Sequence, residues 1–310
     1  MSREALPIVI AGATASGKSA VAMELAVRLG GQIISADSMQ VYRGLDIGTA
    51  KPTKLEQEKV PHHLIDLVDL DESFNAARFV DEAEKAVLRI QSVGGRPIFC
   101  GGTGLYLKAW REGLGEAPSS DEALRSELEA LPLDELLIEL SEKDPATFEV
   151  IDRNNPRRVV RAVEVIRLTG RPFSEQRSDW ESGKGDGQAL RPVRGYGLLR
   201  DMDDLKERIR NRVDVMFEQG LVVETESLLK AGLLEKNRTA MQAIGYRQVV
   251  EFLNGERSLE ETVELVKSRT WKFARRQHTW FRKFGGLEWI EVGREDSLEQ
   301  LTERILDVLD

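Results

Sequence analysis

The sequence predicts an α/β fold: a parallel sheet flanked by helices and interrupted by an all-helical insertion domain. Three observations carry this. Short apolar runs alternate with helical patterns through the first third of the chain. Strand signals then vanish between about Arg111 and Pro192, where amphipathic helical patterns alone remain. A strand pattern returns at residues 194–199, ahead of a mostly helical remainder. Strands separated by helices mean βαβ units, and βαβ units mean a parallel sheet covered on both faces.

The elements follow in order. The run Pro7-Ile8-Val9-Ile10-Ala11 reads as a buried strand ending near Ala11. Ala20, Val21, Met23, Leu25, Ala26 and Leu29 form a helical stripe that Gly30-Gly31 ends. Residues 32–36 make a second strand running up to Asp37, and residues 63–68 a third. Phe79, Ala83, Ala86 and Ile90 mark a helix over 76–92, and residues 97–100 are a fourth strand that breaks at Gly101-Gly102. Inside the insertion, residues 120–131 and 133–142 read as short amphipathic helices. A third has clear ends: Asn155 as N-cap, Pro156 in the first turn, Gly170 just past the last turn. Residues 182–187 read as a flexible loop. Beyond the returning strand, Leu205, Ile209 and Val213 share a helix face closed by Gly220, and a long helix spans about 259–284. The expected organisation is a core domain over 1–112 and 193–310, with the helical insertion over 113–192.

The bulk properties narrow the classes. A chain of 310 residues with 41% apolar and 31% charged content is an ordinary globular composition for one large domain or two modest ones. One cysteine, Cys100, excludes an internal disulfide and any multi-cysteine zinc site, so no appended zinc finger is expected. Cys100 itself reads as a small core residue at a strand end rather than a nucleophile. The first residues resemble a short signal peptide, but the apolar run leads straight into the phosphate-binding loop, so strand is the expectation. No stretch approaches the roughly 18 apolar residues of a membrane span. A cytoplasmic, membrane-free protein is expected, and a monomer. The net charge of −9 argues against a nucleic-acid partner on average, although binding depends on where charge sits.

The most specific local motif is Gly12-Ala13-Thr14-Ala15-Ser16-Gly17-Lys18-Ser19, a complete phosphate-binding loop between strand and helix. Its glycines let backbone N–H groups turn toward an anion. Lys18 adds a point charge, Ser19 offers a hydroxyl to Mg²⁺, and the following helix aims its positive dipole end at the phosphates. The sheet is therefore expected to be P-loop NTPase-like, and ATP-binding by motif. The loop does not say which bond breaks. The fourth strand ends in Gly101-Gly102-Thr103-Gly104, where many such NTPases carry a Mg²⁺-holding Asp, and no Asn-Lys-x-Asp guanine-reading motif is present. Both facts argue against a water-splitting ATPase or a GTPase switch.

Other residues add to the site. Asp37 ends the second strand on the same sheet edge as the loop, where open parallel sheets bind ligands. Arg208 and Arg212 lie four apart on one helix face, either as a pyrophosphate clamp or as a solvated charged face balanced by Glu207. Two basic segments offset the acidic average. One holds Arg153, Arg157, Arg158 and Arg161. The other runs from Lys267 to Lys283 without an acid and includes Arg269, Lys272, Arg275, Arg276 and Arg282. Its aromatics, Phe273, Trp280 and Phe284, read as core. Its cations lack local partners and suit an RNA phosphate track.

Together these pieces resemble the tRNA dimethylallyltransferase family, of the bacterial type. The matching stretches are residues 12–19, 37–52, 61–66, 74–79, 101–106, 154–164, 240–248 and 275–282. They span nearly the whole chain in order. The Asp46-Ile47-Gly48-Thr49-Ala50-Lys51-Pro52 run is far more specific than the loop alone. One departure is Ala13, where the family often has Pro. The resemblance implies dimethylallyl diphosphate as donor, the N6 amine of adenosine 37 in the tRNA anticodon stem-loop as acceptor, and Mg²⁺ as cofactor on Ser19. Diphosphate would lie on the 12–19 loop with Arg208 and Arg212. Lys18, Asp37 and Thr103 would be catalytic. Asp37, Ser38, Met39, Gln40, Thr103, Arg157, Arg158, Val159, Val160, Arg161, Lys272 and Arg276 would contact tRNA. Rival readings are a P-loop small-molecule kinase, an adenine-nucleotide isopentenyltransferase, and a non-catalytic nucleotide-gated RNA-binding module.

Overall fold

Strand β1 (Ile8–Gly12) is buried at every position, as a central strand covered on both faces must be. The structure is a computed structural model and describes residues 6–176, 190–236, 241 and 243–309. After β1 come α1 (Lys18–Leu29), β2 (Gly31–Ser35), α2 (Lys54–Lys59), β3 (His62–His63), α3 (Ala76–Ser92), β4 (Arg96–Gly101) and α4 (Gly104–Glu112). Then follow α5 (Glu122–Ala130), α6 (Leu133–Lys143), α7 (Pro145–Val150) and α8 (Pro156–Thr169). The chain returns through β5 (Arg194–Arg200) and continues with α9 (Met202–Glu218), α10 (Leu221–Lys230), α11 (Leu233–Lys236), α12 (Tyr246–Leu253), α13 (Leu259–Phe281), β6 (Glu288–Val292) and α14 (Leu298–Asp307).

The six strands form one sheet in the order β3-β2-β4-β1-β5-β6. Every pairing is parallel, with Ile8 opposite Ile98 and Arg194, and Ile33 opposite Ile98. Alternate strand residues sort to the two faces. Ile8, Ile10, Ile33, Ile98, Tyr196, Leu198, Ile290 and Val292 pack with Val21, Leu25, Leu301 and Ile305 of α1 and α14. The opposite face carries α3, through Phe79, Ala83, Val87 and Ile90, and α13. The sheet is thus buried on both sides, and its C-terminal edge is left for the site.

The chain divides into two compact units, Met1–Lys108 with Pro192–Asp310, and Ala109–Arg191. The second is all-helical among its described residues and has its own core of Leu128, Leu136, Leu140, Val159, Val160, Ala162, Val163 and Ile166. Pro156 opens α8 and Gly170 closes it in the left-handed region, as the sequence indicates, although Asn155 makes no side-chain cap bond. The expected loop at 182–187 lies outside the described residues.

Three elements differ from expectation. The third strand is two residues long, not six, because Leu64 (φ 62°) and Asp66 (φ 50°) take left-handed conformations that a pleated strand cannot hold. Val68 makes only an isolated parallel bridge to Tyr42, outside the six strands. The long helix stops at Phe281 rather than 284. Strand β6, an edge strand with two buried positions, gives too weak an alternation to stand out in the sequence.

Candidate active site

The C-terminal ends of β1, β2 and β4 deliver three loops to one sheet edge. The β1 loop is a strained cradle. Ala15 is left-handed (φ 63°), a conformation uncommon for a residue with a Cβ, and Gly17 (φ 99°) caps α1. Side chains hold the loop's carbonyls. Lys18 Nζ donates to Ala13 O (3.2 Å), Arg208 Nε to Ala15 O (3.0 Å), and Arg200 Nε to Ser16 O (2.9 Å). Arg200 is itself buried and paired with Asp204 at 2.7 Å. With the carbonyls occupied, the free amides of the first turn of α1 are the loop's open donors, and no acid stands in that turn.

Two cavities adjoin the loop. One of about 390 Å³ is lined by Ala15, Gly17, Lys18, Ser19, Ala20, Arg208, Asn211 and Arg212. The other, about 870 Å³, shares Lys18, Ser19, Asn211 and Arg212 and extends past Asp37, Cys100, Phe273 and Gln277. Burial holds the Lys18 ammonium below the ordinary lysine value; Arg212 adds to this, while Cys100 and Asp37 oppose it. Burial likewise lowers Arg212, with Asp37 opposing. Neither Arg208 nor Arg212 has an ion-pair partner among the described residues. Glu207, the candidate neutraliser, pairs with Arg294 instead (3.3 Å). The Glu207 balance expected of a solvated charged face is therefore absent from Arg208 and Arg212 among the described residues.

Asp37 follows β2. Its Oδ1 accepts from the amides of Met39 (2.9 Å) and Gln40 (3.4 Å), and no described residue hydrogen-bonds Oδ2. Thr103 follows β4, and its hydroxyl accepts from Ser38 N at 3.1 Å while its own amide bonds Ala36 O. Thr103 therefore fixes the turn that aims Asp37. Gln40 is held by Ser35 Oγ and by the carbonyls of Thr49 and Ala50. This ties the Asp37 turn to the Asp46–Pro52 segment. There Lys51, nearly buried, gives its ammonium to Tyr42 O, Asp46 and Asp66. The left-handed turn that truncated β3 is what brings the Asp66 carboxylate to Lys51.

Four residues escaped the sequence reading. Gln277 of α13 accepts from Thr14 N (2.8 Å) and donates to Gly102 O (2.9 Å). Thr14 thus spends its amide on Gln277 rather than offering it to an anion. Arg200 supports the loop from β5. Glu224 and Tyr246 brace the far end of the 37–52 segment. Glu224 accepts from Ile47 N (3.0 Å), Tyr246 OH meets Gly48 N at 3.1 Å, and Tyr246 donates to Glu224. Burial and the Glu224 charge push the Tyr246 phenol well up, so it stays a donor. The one available signal was a polar residue on an otherwise apolar helix stripe, as at Ala274, Gln277 and Phe281.

Several expected tRNA contacts change. Val159 and Val160 are core residues of the insertion, 0% and 3% exposed, and offer no side-chain surface. Arg161 is committed to Glu164 (2.7 Å) and to Pro118 O. Arg157 and Arg158 are exposed. In α13, Lys267 does have partners, Asp214 and Glu264, whereas Lys272 and Arg276 are exposed and have no ion pair among the described residues. Phe273 is 37% exposed beneath Arg276 rather than core, while Phe284 is buried and Trp280 packs on it.

Residues 40–284 match the model of the family described as IPP transferase. The chain belongs to the IPP transferase family. It is 44% identical over 288 residues to tRNA dimethylallyltransferase 2 of Geotalea uraniireducens, covering 92% of this chain and 91% of that one. It is 44% identical, with the same coverage, to the tRNA dimethylallyltransferase of Geobacter sulfurreducens. Among solved structures it is similar to the tRNA isopentenylpyrophosphate transferase of Bacillus halodurans, with 38% identity, a TM-score of 0.69, and 98% and 97% of the two chains covered. A eukaryotic dimethylallyltransferase acting on tRNA aligns with a TM-score of 0.80 at 27% identity, covering 96% of this chain and 76% of that one. The α/β fold read from the sequence is thus the fold of the IPP transferase family. Among the described residues no helix is long and apolar enough to cross a membrane.

Proposed function

We propose that this chain transfers a dimethylallyl group from dimethylallyl diphosphate to the exocyclic N6 amine of adenosine 37 in tRNA, releasing diphosphate. One observation carries the reading beyond family membership. Lys18 and Arg212, cations with no ion pair among the described residues, line one cavity with a carboxylate, Asp37, whose Oδ2 has no hydrogen-bond partner among the described residues, and Arg208 lines the adjoining cavity. Apolar side chains of Met23, Ile33, Val215, Met216 and Phe273 line the same cavity and suit a prenyl group.

The chemistry follows. The allylic C–O bond breaks and negative charge collects on the leaving oxygens. Lys18, Arg212, Arg208 and the first amides of α1 stabilise that charge better than they stabilise the intact ester. The carbon becomes cation-like. The adenine amine is a poor nucleophile because its lone pair is delocalised into the ring. Asp37 Oδ2 accepts a hydrogen bond from N6, orients it, and takes its proton as the N–C bond forms. An ordinary carboxylate is too weak a base to do so earlier. Thr103 acts through Ser38, keeping Asp37 aimed. The target base must leave its stack, at a cost of a few kcal/mol. Exposed cations such as Arg157, Arg158, Lys272 and Arg276 would offset that cost by holding the tRNA backbone.

A Mg²⁺ ion bound with the diphosphate would neutralise charge on the leaving group. Ser19, which lines both cavities, would hold it. Among the described residues no three His, Cys, Asp or Glu side chains come together as a metal site, so substrate phosphates and water would complete the shell, as Mg²⁺ prefers.

The test mixes the protein with Mg²⁺, labelled dimethylallyl diphosphate and unmodified tRNA, with ATP plus small acceptors and free AMP as parallel arms. Label on the tRNA base is expected. Label on AMP alone, or phosphate transfer from ATP alone, would replace this reading with the nucleotide transferase or the kinase.

A further inference from the structure

We infer that Gln277 is a positioning residue that sets the distance between the leaving-group loop and the acceptor side of the site. The inference rests on the proposed prenyl transfer and deepens it. Donor and acceptor groups sit on different strand ends, β1 and β2–β4, which the sheet joins from below. Gln277 joins them above the sheet. Its amide oxygen takes Thr14 N in the phosphate loop, and its amide nitrogen reaches Gly102 O. The next residue, Thr103, holds Ser38 beside Asp37. The path from leaving group to base is therefore Thr14, Gln277, Gly102–Thr103, Ser38 and Asp37.

The glycines of the β4 turn are shaped around this contact. A Cβ on Gly102 would lie 2.1 Å from Gln277 Nε2, and the atoms nearest it within 4 Å all belong to Gln277. Gly102 does not have a positive φ, so the backbone itself would accept a side chain there. Two residues on, a Cβ on Gly104 would meet the Trp280 ring at 2.1 Å. Helix α13 thus lies directly on the turn, and the Gln277 amide fills the space a side chain would take. Gln277 is 7% exposed, and both of its hydrogen bonds go to backbone, so its orientation is fixed from both ends. Reacting groups displaced by about 1 Å lose roughly 100-fold in rate.

The test compares single-turnover prenylation, tRNA affinity and pyrophosphate affinity in wild type, Gln277→Ala, Gly102→Ala, the double variant, and Gln277→Glu. Wild-type prenylation is the control. If it is absent, the proposed activity fails; if it is present, the variants judge Gln277 alone. Gly102→Ala should cost about tenfold or more in single-turnover rate, with tRNA and pyrophosphate affinities within a few-fold. In the Gln277→Ala background the same change should cost little, because the obstructing amide is gone. Gln277→Glu can mimic the amide only when protonated, donating to Gly102 O. Ionised, it turns a charge against that carbonyl. Its rate relative to wild type should fall toward alkaline pH and be at least about tenfold down at pH 9. Additive losses in the double variant, a Glu variant equal to wild type at pH 9, or losses confined to tRNA affinity would overturn the assignment. Melting curves identify any variant that fails to fold, and the remaining variant then decides.

Discussion

The arginines of the sheet-edge site and those of the helical insertion are the same side chains in opposite electrical situations. On α9, Arg208 and Arg212 line a cavity, and among the described residues no carboxylate pairs with either. On α8, Arg161 and Arg167 are clasped by Glu164 and by Glu139 with Glu127. Glu164 is fully buried and also accepts from Ser120 Oγ and Asp121 N. The first group, on the proposed reading, is left for an anion; the second holds helices together. A cation is available for ligand binding where the fold withholds its partner, and i,i+4 spacing alone does not reveal which case applies.

That contrast can be broken from either end. The largest effect is expected at the site. Asp37→Ala should cut single-turnover prenylation by about 10²–10⁴-fold while tRNA affinity changes only a few-fold. Near-normal turnover would remove Asp37 as the base. In the insertion, Glu164→Ala leaves Ser120 Oγ, Asp121 N and the partly exposed Arg161 without this acceptor and should cost about 1–3 kcal/mol of unfolding free energy, read by denaturant titration. Pyrophosphate binding at the other unit should persist, and its loss would show that the units are not energetically separate.

The next effect concerns the exposed α8 cations. Arg157→Ala with Arg158→Ala should weaken tRNA binding about tenfold and reduce its salt slope by about one to two, while Arg161→Ala acts on stability instead. An unchanged slope would remove both from the phosphate track. The smallest effect is the pH response of Lys18. Its folded value lies below 10.5, so between that value and 10.5 the unfolded chain binds the extra proton. Stability from this group therefore grows as pH rises through that window. Pyrophosphate needs the ammonium, so its affinity should fall over the same window by a few-fold, measured by calorimetry. Lys18→Arg, which does not titrate there, should flatten that fall.

Much of this was legible in the chain because the signals are local. The phosphate loop, the caps of α8 and the stripe of α3 each lie within one element, so their residues are neighbours in sequence. Asp37 and Thr103 were legible as strand-end residues, given a parallel sheet. The burial of Val159 and Val160 was not part of the sequence reading, because a motif stretch does not say which of its residues face inward; the helix period does. The third strand was overextended because apolar content cannot report the left-handed turns at Leu64 and Asp66.

By itself the sequence determined the α/β class, the phosphate loop, the insertion and the family, because each depends on short-range patterning or on many matched positions along the chain. The tertiary structure alone decided the strand order, the pairing of Glu207 with Arg294 rather than the α9 arginines, and the reach of Gln277 from α13 to Thr14 and Gly102. Those are contacts between residues far apart in sequence. Their geometry is fixed by how helices pack on the finished sheet, and no run of neighbouring residues encodes it.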